Sequence, residues 1–144
     1  MLKLLKNLFT PSTPPADFLD PALGELKWSE DEGEWLAPVP SDPSVRFQIG
    51  GEQQPDARLL KHATDIAASY PAFQHMVRQA LVAEVAHFDA FYTDEIRNLR
   101  LESICLFWPK RPDDGMLYLE GGRDGRVWRF DYVARKPAGL GFDS

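Results

Sequence analysis

The chain has little reactive side-chain chemistry to offer: one cysteine, Cys105, and three histidines, His62, His75 and His87, in 144 residues. A lone thiol excludes an intrachain disulfide and a multi-thiolate metal site. None of the histidines stands in an H-x-x-x-H or H-E-x-x-H pattern, so no helical zinc pair is offered and no metal or other cofactor is expected. G-x-S-x-G is missing, which removes the serine nucleophile elbow. No apolar run reaches the roughly 20 residues of a membrane-spanning helix. The leucine-rich start, Met1 to Phe9, is interrupted by Lys3 and Lys6 and has no small-residue cleavage site behind it, so it does not read as a signal peptide. A cytoplasmic protein is the expectation, and the single thiol fits a reducing compartment.

Basic residues are also in deficit: 16 Lys and Arg against 22 Asp and Glu, a formal net charge of −6. Such a chain repels phosphate, so neither nucleic acid nor an anionic membrane is an expected partner, and a basic protein is the easier one. The imbalance is local. Residues 16–56 hold ten acids against Lys27 and Arg46, whereas residues 97–136 hold more bases than acids. The two segments either neutralise each other as neighbours, or the first presents an acidic docking face.

What is present is the material of a core. Apolar residues make up 44% of the chain, with nine Phe, four Trp and four Tyr, which is globular rather than disordered composition. Residues 1–9 read as a short amphipathic helix, followed by the Pro-rich connector Pro11-Ser-Thr-Pro-Pro15. Residues 16–144 read as one α+β domain. Three strands are predicted over Leu23–Trp28, Glu34–Val39 and Val45–Ile49, then two helices over 56–70 and 71–91 separated by Pro71, then three strands over Leu101–Trp108, Met116–Glu120 and Arg126–Val133. Asp113-Asp-Gly115 and Asp124-Gly125 predict tight hairpins between the last three. The fold class that follows is a mainly antiparallel sheet of two three-strand meanders, with a central helical pair packed on one face.

Few residues invite a functional reading. Cys105 lies among Ile104, Leu106 and Phe107, and a thiol buried in apolar surroundings is inert. Gly121-Gly-Arg-Asp-Gly125 lies between strands, so it reads as a turn rather than a phosphate cradle, which leads into a helix. Glu84 falls inside the apolar arc of the second helix, between Leu81 and Phe88, where a carboxylate needs a partner. A buried ion pair with Arg129 is the expectation, with Arg126, Tyr118 and Tyr132 as other candidates. The acidic turn Glu30, Asp31, Glu32, Glu34, with Trp35 beside it, is the expected binding surface. No catalytic constellation is visible.

From about Phe18 onward the chain resembles an uncharacterised bacterial protein family. The resemblance is carried by Asp20-Pro-x-Leu-Gly24, Trp28, Trp35, Phe47-x-Ile-Gly-Gly51, Glu95-Ile-x-x-Leu-x-Leu-Glu-Ser-Ile104, Arg126-Val-Trp-Arg-Phe130 and the ending Gly139-Leu-Gly-Phe-Asp-Ser144. Similar small acidic α+β proteins occur among immunity proteins of bacterial toxin systems. By analogy with them the resemblance implies a binding role; the acidic first half, the lack of catalytic motifs and the small size then make a protein-binding module, an immunity-type inhibitor of a basic toxin domain, the leading expectation. The resemblance transfers no functional residue. Two alternatives stand beside it: a small-molecule sensor or enzyme with a cleft between helices and sheet, and a structural homo-oligomer.

Overall fold

Eight strands form one continuous sheet in chain order, β1 to β8, in a computed structural model that describes residues 14–143. The expected helix over residues 1–9 lies outside the described residues. The strands are β1 (Phe18–Asp20), β2 (Gly24–Ser29), β3 (Glu34–Val39), β4 (Asp42–Ile49), β5 (Arg100–Leu106), β6 (Gly115–Glu120), β7 (Val127–Val133) and β8 (Lys136–Asp143). Neighbours pair antiparallel except β4 and β5, which are parallel in the centre, with Phe47 opposite Ile104. A parallel pair needs a long crossover, and the helices supply it.

This corrects the expected architecture. The sheet is a single mixed one, four strands on each side of a parallel junction, not two three-strand meanders. β1 and β8 are the additions. β1 has only three residues, and β8 reads Lys-Pro-Ala-Gly-Leu-Gly-Phe-Asp, a composition depleted in strands. Its hairpin with β7 turns on Ala134 and Arg135, both at positive φ (51° and 64°). Primed turns favour Asn-Gly at those positions, so the sequence carried no signal for this one. Contacts from outside hold it: Arg135 N–H donates to the Asp113 carbonyl at 2.9 Å, Ala134 N–H to the Asp114 carboxylate at 3.0 Å, and the Arg135 guanidinium bonds Asp113 and Asp65.

The helical crossover has clear local causes. α1 (Ala57–Ala68) is capped by Asp56, whose carboxylate accepts from the N–H groups of Arg58 and Leu59. Ser69 separates it from α2 (Tyr70–Glu84), which carries Pro71 in its first turn. α2 stops earlier than its apolar arc predicts. Asp89 accepts from Phe91 N–H and starts a new turn, so Phe88 and Asp89 become extended between two single 3-10 turns. A short α3 (Thr93–Arg97) then leads into β5.

One sheet face receives the helices. Trp35, Phe47, Ile49, Ile104, Leu117, Trp128 and Phe130 alternate along their strands toward it and are fully covered or nearly so, together with Leu59, Phe73, Val77 and Leu81 from α1 and α2. The opposite face carries Leu36, Arg46, Gln48, Ser103, Cys105, Met116, Tyr118 and Arg129, with no described helix over it. Gly115 begins β6 rather than sitting in a tight turn. A Cβ there would lie 2.2 Å from the Cys105 carbonyl oxygen, so close approach of β5 and β6 requires the glycine.

Candidate functional site

On the helix-free face a groove of about 530 Å³ is lined by Glu32, Glu34, Arg46, Gln48, Glu102, Ser103, Phe107, Tyr118 and Val127. Three structural features build it. The β2–β3 turn, closed by Gly33 N–H on the Ser29 carbonyl at 2.8 Å, projects Glu32 over the start of β3. Strand alternation turns Glu34, Arg46 and Gln48 to the same side. A bulge between Leu101 and Ser103 in β5 lets two successive residues, Glu102 and Ser103, line the groove, a re-aiming typical of bulges.

The charges are unequal. Arg46 is the only cation among these residues; it bonds Glu32 at 3.0 Å and reaches Ser103 Oγ at 3.4 Å. The Arg46 donors fix the Gln48 amide with its oxygen toward them (2.9 and 3.2 Å) and its NH2 toward Glu34 at 3.2 Å. Burial raises the Glu34 carboxyl to about 7, the Glu32 carboxylate adds to the rise, and Arg46 opposes it. The Gln48 N–H opposes it too. Glu34 thus lacks a salt-bridge partner, and Glu102 has none either among the described residues. A cationic side chain entering the groove would meet two under-neutralised carboxylates.

Beneath the groove floor Cys105 is fully buried, and burial drives its thiol far above the ordinary range, so it is inert toward thiolate chemistry.

Of the residues expected to bind, Glu32 and Glu34 come together in the groove. Glu30 and Asp31 stay exposed on the turn outside it. Trp35 is a correction: it faces the opposite way, fully buried in the core, with its indole N–H on the Gly51 carbonyl at 3.2 Å. The expected Glu84–Arg129 pair is a second correction. Arg129 lies on the helix-free face and bonds Asp143 at 2.6 Å, while Glu84 ends α2 on the other side of the sheet, half-buried. With helix α2 ending there, the deeper part of the expected apolar arc never forms around Glu84.

The buried carboxylate is Glu95 on α3, 2% exposed. It accepts from both Nε and a terminal nitrogen of Arg126, from Trp128 Nε1 and from Arg123 N–H. Arg126 foremost, with Trp128 and the Arg123 amide, holds its carboxyl down at about 2 against the opposing effect of burial. The Arg126 guanidinium lies 5.2 Å from the Tyr92 ring centre and 5.7 Å from that of Phe142, favourable cation–π distances. Every oxygen is engaged, so this cluster fastens α3 to the β6–β7 connection. A helix of five residues is too short to show a period, so nothing in the sequence marks Glu95 as its buried position.

A second groove, about 490 Å³, runs between α2 and the starts of β4 and β5, past Asp42, Gln74, His75, Arg78, Arg100 and Glu120. Its charged groups are engaged with the protein: Asp42 accepts from Tyr70 and Gln74, Arg78 donates to the carbonyls of Arg97 and Leu99, and Arg100 pairs with Glu120. Among the described residues no group of three or more His, Cys, Asp or Glu can hold a metal ion. None of the described helices is long and apolar enough to cross a membrane.

Comparison with protein-family models, with curated proteins and with solved structures returns no match.

Proposed function

We propose that the chain is a protein-binding module whose helix-free sheet face receives a basic segment of another protein. The observation that carries this reading is the groove in which Glu32, Glu34 and Glu102 surround a single arginine, Arg46. The −6 net charge would steer a cationic partner toward the molecule. By analogy with the immunity proteins of bacterial toxin systems, the partner is a basic toxin domain held by an inhibitor, and a cytoplasmic site of action accords with an unpaired, buried thiol. A small-molecule sensor or enzyme is the second reading, supported by the α2 groove. It ranks behind because the polar groups there already satisfy one another.

Fluorescence anisotropy with a labelled Lys/Arg-rich decapeptide tests the leading reading. Wild-type protein is expected to bind it in a salt-dependent manner, and Glu32→Lys/Glu102→Lys is expected to abolish binding while keeping the fold, since both side chains reach solvent. Binding that is absent in the wild type, or unchanged by the double charge reversal, would overturn the reading.

A further inference from the structure

The two edges of the sheet are finished differently. β1 closes one side with three residues, too few to template another strand, whereas β8 closes the other with eight. A strand of that length presents a row of N–H and C=O groups, and proteins blunt such rows with charge, proline or a bulge. β8 carries these devices only at its start: Lys136, Pro137 and a shift of register that leaves Ala138 without a partner on β7. From Gly139 to Phe142 it is regular and uncharged, and no described strand pairs with its outer side.

Two features of this edge have no explanation within a single copy. Gly139 and Gly141 have no positive φ, and a Cβ at either would meet nothing within 4 Å. Every other glycine has a positive φ or backbone closer than 3.0 Å to where a Cβ would stand. Glycine inside a strand weakens it and often marks the close approach of another backbone. The second feature is Phe91. Aromatic contacts run from Trp128 in the core to Phe142 of β8 at 4.7 Å, on to Tyr92 at 5.4 Å and out to Phe91 at 5.1 Å, a side chain left 71% exposed.

Charge selects a second copy of the chain as the occupant. β8 begins with Lys136, which has no ion pair among the described residues, and ends with Asp143, whose side chain is 70% exposed despite its bond to Arg129. Antiparallel pairing of β8 with itself, about a two-fold axis at Leu140, sets Gly139 against Gly141 of the partner subunit. It also brings Lys136 beside Asp143 of the partner subunit, and the symmetry repeats both contacts. In-register parallel pairing would instead oppose like charges. We propose that the outer edge of β8 pairs with β8 of a second copy, joining two sheets into one in a two-fold dimer. Such a short run of paired backbone with a flanking aromatic is a small interface, so the dimer is weak and concentration-dependent. The proposal does not rest on the reading of the helix-free groove.

Sedimentation velocity of the full chain from about 1 μM to about 1 mM tests it, with Gly139→Lys/Gly141→Lys run beside the wild type. Both positions have open space in the single copy, so the variant keeps its fold, checked by near-UV circular dichroism, while four lysines crowd the two-fold junction. Wild type is expected to pass from monomer to dimer across this range and the variant to stay monomeric. Lys136→Glu is expected to weaken association about fivefold, through two symmetric exposed ion pairs. Amide hydrogen exchange of residues 139–142, read by NMR at low and high concentration, needs no variant and should slow as the dimer forms. A wild type that stays monomeric throughout, or a dimer untouched by the lysines, would overturn the proposal. So would edge amides whose protection does not change with concentration, the result expected if the edge were paired within one copy or left open.

Discussion

Glu95 and Glu34 sit on opposite sides of the same sheet and are held in opposite ways. On the helix-covered side, Glu95 has Arg126, Trp128 and the Arg123 amide on its two oxygens, and its carboxyl is driven down to about 2, Arg126 being the main cause. On the open side, Glu34 is half-buried with no salt-bridge partner among the described residues, and burial pushes it up to about 7. A carboxylate whose hydrogen-bonding capacity is fully used holds elements together. One left short of positive charge retains capacity for something from outside. The contrast separates a structural acid from the acid proposed to bind, without appeal to any motif.

The largest effect is expected from breaking the first. Glu95→Gln leaves Arg126 with a neutral acceptor in a buried setting and should cost about 3 kcal/mol, measured by urea unfolding near neutral pH. Because the folded carboxyl lies below its unfolded value of about 4.5, the stabilisation is complete above that pH and disappears as pH falls toward 2. The wild-type stability curve should therefore drop across that interval and the Glu95→Gln curve should be flatter. Parallel curves would contradict the assignment.

Glu34 has the reverse sign. Its folded carboxyl lies above the unfolded value of 4.5, so the folded state holds the proton more tightly, and its penalty grows as pH rises from about 4.5 to about 7. Glu34→Gln should then stabilise the protein at pH 8, by about 1 kcal/mol or less because solvent screens a half-exposed group. The gain should vanish at pH 4, and a loss of stability at pH 8 would make Glu34 a structural residue after all. Thiol labelling by an aromatic disulfide reagent sharpens the account of the same face: Cys105 should react slowly in the folded protein and rapidly once urea unfolds it. Rapid stoichiometric labelling of the native protein would mean the groove floor opens. Glu84→Gln, finally, should change stability by no more than about 0.5 kcal/mol, the range of a surface substitution. A loss well beyond that would point to a partner that none of the described residues supplies.

How much of this was legible follows from where local signals end. The six strands with alternating apolar residues were readable, since alternation is what a half-buried strand imposes; Glu34–Val39 coincides with β3. β1 and β8 escaped because one is too short to alternate and the other carries Pro137, Gly139 and Gly141. Their pairing depends on neighbours already in place, not on their own propensity. The parallel junction was equally hidden: nothing in Val45–Ile49 or Leu101–Leu106 says which strand will lie alongside. Two of the five residues of the expected binding surface, Glu32 and Glu34, reached the groove, whereas Trp35 obeyed the alternation that turns it inward, a consequence the strand pattern itself contained. Arg46, Gln48, Glu102 and Ser103 joined the site only through cross-strand register and a bulge. Glu95 was out of reach because all its partners come from 28 to 33 residues away.

The central claim, that the open face is short of positive charge and takes it from a bound segment, is tested most directly by carboxyl-carbon NMR titration of Glu34 and Glu95, with and without saturating Lys/Arg-rich decapeptide. Glu34 should titrate near 7 in the free protein and move down when the peptide's cations arrive, while Glu95 stays near 2 in both states. Titration of Glu34 as an ordinary exposed carboxylate, unmoved by the peptide, would contradict the account.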